Sequence, residues 1–168
     1  MNIRHIKKIP SPVLIIIIIL IAYNLITGNK VPESFEKMEK TVVERVVDGD
    51  TIVISDGKRV RMIGINTPES VKEAGGIEYY GKEASNYTKN KLEGNTVYLE
   101  KDVSDKDKYD RLLRYIYLKD GTFYNELIVK EGYAYASTYP PDIKYNEIIH
   151  EAEAYARSNN LGLWGESD

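Results

Sequence analysis

RVVDGDTIVISDGKRVRMIGINTPE, residues 45–69, alternates strand-forming sequence with oxygen-bearing side chains. Asp56-Gly57 stands between two runs of β-branched residues and is a two-residue hairpin signal. With Asp48-Gly49 as an earlier break, three strands in meander order are predicted: Thr41–Val47, Thr51–Ser55 and Arg59–Ile65. Between Asp48 and Glu69 lie three carboxylates (Asp48, Asp50, Glu69), the amide of Asn66 and the guanidinium of Arg61. Asp48 and Asp50 are two apart and share a face if the backbone there is extended. Arg61 alternates with Val60 and Met62, so it leaves the core side while they stay in it. Asp48-Gly49-Asp50 alone reads as a turn with solvated acids, and Arg61 alone as a strand-face arginine. Together they suit a place where a hard cation meets a phosphate, and they are costly in a small apolar core.

Downstream, Thr67-Pro68 ends the strand run and residues 69–77 form a polar, glycine-bearing loop. Gly81–Leu92 has helical composition, with Ala84, Tyr87, Thr88 and Leu92 spaced for one buried stripe. A fourth strand is predicted over Thr96–Leu99 and a fifth over Leu112–Leu118, joined by the charged loop Asp102–Asp110. A second helix covers Tyr124–Glu131, closed by Gly132 as C-cap. After Pro140-Pro141 a third helix is predicted over Tyr145–Asn159, with Ile148, Ile149, Ala152 and Ala156 on one face. The class is α+β: residues 41–168 form a five-stranded OB-type β-barrel with three α-helices, an architecture that often takes oligonucleotides on its strand face and loops.

Upstream the sequence changes character. Residues 9–29 carry no charge, and Val13–Ala22 (VLIIIIILIA) is unbroken apolar sequence behind a short basic leader. About 20 apolar residues suffice to cross a bilayer as a helix. Residues 1–28 are therefore expected to be an N-terminal hydrophobic helix that anchors the chain, with the body outside the cell membrane. The competing reading is a cleaved signal peptide and a secreted body. Residues 29–40 read as a polar linker.

Cysteine is absent, which excludes disulfides, zinc–thiolate sites and thiol nucleophiles. Four of the 23 basic residues fall in the first 30 and no acid does, so the remainder has 19 basic against 26 acidic side chains, a balance of −7. Such a body cannot bind nucleic acid by general charge, and phosphate recognition must come from a few placed arginines and a bound cation. The 14 tyrosines suit either base stacking or a wet sheet surface.

Four segments, VVDGDT (46–51), RMIGINTPE (61–69), DKYDRLLRYIY (107–117) and GLW (162–164), resemble in order and spacing the staphylococcal nuclease, or thermonuclease, family. The resemblance covers about residues 41–164. It implies calcium-dependent endonucleolytic cleavage of single-stranded or denatured DNA and of RNA, leaving 3′-phosphate ends. Carried over by position, it implies Asp50, Asn66 and the Thr67 carbonyl as Ca2+ ligands, with Asp48 behind them through water. Arg61 and Arg111 would hold the phosphate, Glu69 would act as general base, and Tyr109 and Tyr139 would line the nucleotide pocket. A monomer is expected. Three positions depart from the pattern. Asn66 stands where the family has aspartate, which predicts weaker calcium binding. Asp110 replaces a glycine and is expected to place a negative charge beside Arg111. Ser137 or Thr138 stands where a second tyrosine belongs. The alternative is a non-catalytic OB module that binds nucleic acid or protein; an Asn66 in the ligand set leans towards it, and intact Arg61, Glu69 and Arg111 lean against it.

Overall fold

Ten-residue β1, Glu39–Asp48, is the corner on which the sheet closes. Its first half pairs antiparallel with β5 (Thr96–Glu100), and its second half, after a shift of register near Val43, pairs antiparallel with β2 (Thr51–Ile54). The computed structural model describes residues 35, 37–70 and 78–165. β2 continues antiparallel to β3 (Arg59–Met62), β3 lies parallel to β6 (Leu112–Leu118), and β6 returns antiparallel to β5. The order β1-β2-β3-β6-β5 closes on itself, an OB-type barrel without free edges. Alternation sorts the side chains: Val60 and Met62 are buried and Arg61 between them emerges, as its position in the strand predicts.

The predicted third strand is split. Ile63 and Gly64 turn the chain, and Ile65–Asn66 form a separate β4 that pairs with β7 (Tyr135–Ala136). The reason is local: Gly64 takes φ +78°, and its Cα faces the Ile149 side chain so closely that an added Cβ would lie 2.6 Å from it. The two-stranded ribbon carries Asn66 away from the barrel wall.

Three helices pack outside: α1 (Gly81–Leu92), α2 (Tyr124–Lys130) and α3 (Asn146–Ser158), followed by a 3-10 turn at Gly162–Trp164. α1 lies on β1, while α2 packs on β6 and on α3. Two expected stripe residues are not in the core. Tyr87 on α1 is half-exposed because its ring stacks on Tyr133. Ile148 on α3 is 42% exposed, because it sits one residue from the buried row Ile149, Ala152 and Ala156.

The apolar stretch 13–22 and the anchor or signal peptide it predicts lie outside the described residues, as does most of the expected linker. Within that linker Phe35 is buried, with its ring 5.2 Å from Tyr98 and 5.1 Å from Tyr117. Among the described residues no helix is long and apolar enough to cross a membrane.

Candidate active site

Asp48 closes β1, and Gly49 and Asp50 form the turn into β2, so the two acids flank a tight turn and do not share a strand face. Asp48 Oδ1 accepts the Gly49 N–H at 2.8 Å. Gly49 is required here because a Cβ would lie 2.7 Å from the Thr67 side chain. The turn is fixed from below: the buried Tyr124 hydroxyl donates to Thr88 Oγ1 at 2.9 Å, and Thr88 donates to the Gly49 carbonyl at 2.6 Å. Asp50 is thereby buried, with Oδ1 accepting from the Thr51 hydroxyl (2.9 Å) and Oδ2 from the Thr67 N–H (3.0 Å).

Arg61 ties the remaining pieces together. Its Nη1 lies 3.0 Å from Asp50 Oδ2 and donates to the carbonyls of Met62 (3.1 Å) and Ile65 (3.0 Å), while Nη2 donates to Asn66 Oδ1 at 3.0 Å. Burial pulls the guanidinium pKa down, Asp50 raises it, and the nearby Arg111 lowers it again. An arginine stays charged under any such shift at neutral pH. Glu69 is exposed beside Asp48. Desolvation first, then the Asp48 carboxylate and a hydrogen bond with it, then Asp50, push the Glu69 carboxyl above its ordinary value. Three acids of one sign are therefore gathered around one guanidinium.

The second arginine comes from the loop before β6. Asp107 organises it: Oδ1 accepts the N–H groups of Tyr109 (2.9 Å) and Arg111 (3.1 Å), and Oδ2 accepts Arg111 Nε at 2.6 Å. The carboxylate beside Arg111 is thus Asp107 and not the expected Asp110. Asp110 adopts a left-handed φ of +64°, the conformation a glycine accepts most readily, and its own carboxylate turns to Lys106 Nζ at 2.7 Å. Arg114 pins the loop from inside the barrel, donating through Nη2 to Asp105 Oδ1 at 2.8 Å and through Nη1 to the Asp105 carbonyl at 3.1 Å.

Arg61, Arg111, Tyr109 and Tyr139 line one open cleft of about 390 Å³. Lys106, Lys108 and Ser137 line it too, so of the two candidates for the missing tyrosine it is Ser137 that faces the cleft. Both cleft tyrosines are largely exposed, and the Arg111 guanidinium lies 5.3 Å from the Tyr109 ring centre. Every predicted site residue therefore falls in one neighbourhood joined by Arg61. Sequence reasoning missed Asp107, whose four-residue spacing to Arg111 after a turn was a readable signal. It also missed the two lysines of the cleft. Thr88, Arg114 and Asn125 left no local signal. Asn125, fully buried, accepts the Ile116 N–H and donates to the Ile63 carbonyl 62 residues away, holding α2 to the turn that follows β3.

Comparison with known proteins adds one decisive match. The family described as Staphylococcal nuclease homologue matches residues 59–166, well over half of the chain. The chain belongs to the staphylococcal nuclease family. It is similar to the thermonuclease of Staphylococcus intermedius, 43% identical over 166 residues that span 94% of this chain and 98% of that protein. It is 46% identical over 125 residues to the thermonuclease of Staphylococcus hyicus, spanning 73% of each. It is 38% identical over 145 residues to Endonuclease YncB of Bacillus subtilis (strain 168), spanning 83% of this chain and 68% of that protein. With membership of the staphylococcal nuclease family goes the enzyme class, phosphodiester hydrolase.

The donor set bears on a metal. Asp50, Asn66 and the Thr67 carbonyl offer oxygen only, which suits calcium and not a soft metal. Among the described residues no three His, Asp or Glu side chains converge to hold an ion by themselves, so an amide or carbonyl oxygen has to complete any such set. Two features fit a hard cation: the like-charged acids already raise the Glu69 pKa, and the buried Thr67 Oγ1 has no hydrogen-bond partner.

Proposed function

We propose that this chain is a calcium-dependent endonuclease that hydrolyses phosphodiester bonds of DNA and RNA and leaves 3′-phosphate ends. The observation that carries the reading is the position of Arg61, 3.0 Å from both Asp50 Oδ2 and Asn66 Oδ1 and lining the same cleft as Arg111. Single-stranded or locally melted substrate fits best, because the cleft is flanked by exposed tyrosine rings that stack on unpaired bases. Calcium, held by Asp50, Asn66 and the Thr67 carbonyl with Asp48 behind them, would neutralise phosphate charge and polarise a phosphoryl oxygen.

The chain's own residues do the rest. Arg61 and Arg111 donate to the phosphate, a planar fork that lysine cannot copy. Asp107 keeps the Arg111 fork aimed at the cleft. Glu69, its pKa raised by desolvation and then by Asp48, takes the proton of the attacking water. The water oxygen forms the new P–O bond, the P–O5′ bond breaks, O5′ takes a proton from solvent water and leaves as a hydroxyl, and the phosphate stays on the 3′ side. Asn66 supplies one negative charge fewer than the aspartate usual in the family, so half-maximal activation should need more calcium.

The apolar stretch at residues 13–22 behind a basic leader supports an exported enzyme held at the membrane, with the hydrolase domain outside, or secreted after cleavage. The enzyme acts as a monomer. The test is cleavage of single-stranded DNA by the full chain with calcium and with chelator. Calcium-switched cleavage that is lost in Glu69→Gln and Arg61→Ala proteins, with binding kept, is expected. Binding without cleavage at any calcium concentration would sink the proposal and leave a non-catalytic binding module.

A further inference from the structure

Four tyrosine rings stand in series beside Glu69. Tyr79 lies 5.7 Å from Tyr80, Tyr80 lies 5.5 Å from Tyr133, and Tyr133 stacks on Tyr87 at 4.2 Å with planes 19° apart. They come from the residues ahead of α1, from α1 itself, and from the turn between α2 and β7. None serves as core: Tyr79 is 60% exposed and the other three are half-buried. Tyr80 holds a left-handed φ of +66°, an uncommon conformation for a bulky side chain that turns its ring towards this row.

The head of the row is fastened to the candidate active site. Glu78 donates its N–H to the Glu69 carbonyl at 3.0 Å, and Glu69 donates its N–H to Glu78 Oε2 at 3.1 Å. Gly81 approaches so closely that a Cβ there would lie 2.2 Å from the Glu69 carbonyl oxygen. The cleft is lined by Arg61, Arg111, Tyr109 and Tyr139 but not by Glu69. A strand whose scissile phosphate reaches from the arginines of the cleft to Glu69 thereby meets the segment, bonded to Glu69, that carries Tyr79 and Tyr80.

We propose that Tyr79, Tyr80, Tyr133 and Tyr87 form a stacking platform for unpaired bases of the strand that leaves the cleft past Glu69. This rests on the nuclease reading of the site and extends it to longer substrates. Charge selects the occupant. Among the described residues, Glu78, Glu83 and Glu131 act on this region, and Lys91, 5.6 Å from the Tyr87 ring centre, is the cation set over a ring of the row. A track for phosphates would need more cations than that, whereas the face of a ring accepts any base. Desolvation first and neighbouring Glu131 and Tyr133 next push the Tyr87 phenol up to about 12, so this end of the row stays neutral at working pH.

The test compares Tyr79→Ser and Tyr79→Phe with wild type in the full chain, by anisotropy of labelled oligothymidylates in chelator. Strands of about four and about 14 nucleotides bracket the cleft alone and the cleft plus platform. Tyr79→Ser is expected to weaken the long strand about tenfold, at low and high salt alike, and to leave the short strand and a duplex unchanged. Tyr79→Phe, which keeps the ring, should match wild type. Equal loss on both lengths, no loss on either, or a shift in oligomeric state on Tyr79→Ser would overturn the platform. Cleavage in calcium is scored separately: long-strand binding through Tyr79 without any cleavage overturns the nuclease reading alone, and cleavage without a length-dependent Tyr79 effect overturns the platform alone.

Discussion

Arg61 and Arg111 do different work although both face the cleft. The Arg61 fork is spent on Asp50, Asn66 and two carbonyls, so it builds the site as well as lining the cleft. Arg111 is held through Nε alone, leaving its terminal nitrogens for a ligand. Arg111→Lys should therefore lower kcat by 10²- to 10³-fold, about 3–4 kcal/mol, with only the smaller loss in the urea midpoint that follows from its bond to Asp107. Arg61→Lys should lower both. A pH signature belongs to Asp107. Partial burial alone would raise its carboxyl, but hydrogen bonds from the Arg111 side chain and from the N–H groups of Arg111 and Tyr109 together hold it below the ordinary 3.8. The unfolded chain then binds this proton more readily, so the stabilisation is whole above pH 3.8 and drains as pH falls through the lower folded value. Thermal melts should show Asp107→Asn less stable than wild type at neutral pH, with the gap closing in acid.

The elements show why some of this could be read from sequence and some could not. Period-two alternation gave Arg61 its place between Val60 and Met62, and Asp56-Gly57 gave the hairpin, because both signals lie within a few residues. The first helix and the sixth strand keep the predicted boundaries, Gly81–Leu92 and Leu112–Leu118. The separate ribbon of β4 and β7 was illegible, since it depends on Ile65 and Asn66 meeting residues about 70 positions later. So was the support under the Asp48–Asp50 turn: nothing local tells Thr88 that its hydroxyl will meet Gly49. That contact makes α1 part of the site. Thr88→Val leaves the Gly49 carbonyl and the Tyr124 hydroxyl buried without partners, at about 1–3 kcal/mol each. The expected outcome is a fall of roughly 2–6 kcal/mol in unfolding free energy by urea titration, with reduced kcat in the fraction that stays folded.

On the scale of the whole molecule, charge limits how nucleic acid can bind. The body carries −7, and the cations of the cleft are Arg61, Lys106, Lys108 and Arg111, with Lys106 already paired to Asp110. Fewer than about six phosphate contacts are then available, so binding should fall only gently with salt. A log–log plot of affinity against salt for a single-stranded oligonucleotide should have a slope shallower than about −4. A steeper slope would mean a phosphate track beyond the cleft.

The parallel pairing of β3 with β6 has a consequence for a newly made chain. Arg61 is set opposite Leu113 in that register, and Arg111 enters the cleft only through the start of β6. Contacts so distant in sequence form slowly and late. A chain still being synthesised, or cut short before Arg111, has its acids and first arginine but not the second. The topology thus orders assembly: the two arginines meet only once β6 has joined β3. Refolding followed by activity should show it appearing with the slowest phase, after most of the helical signal has returned.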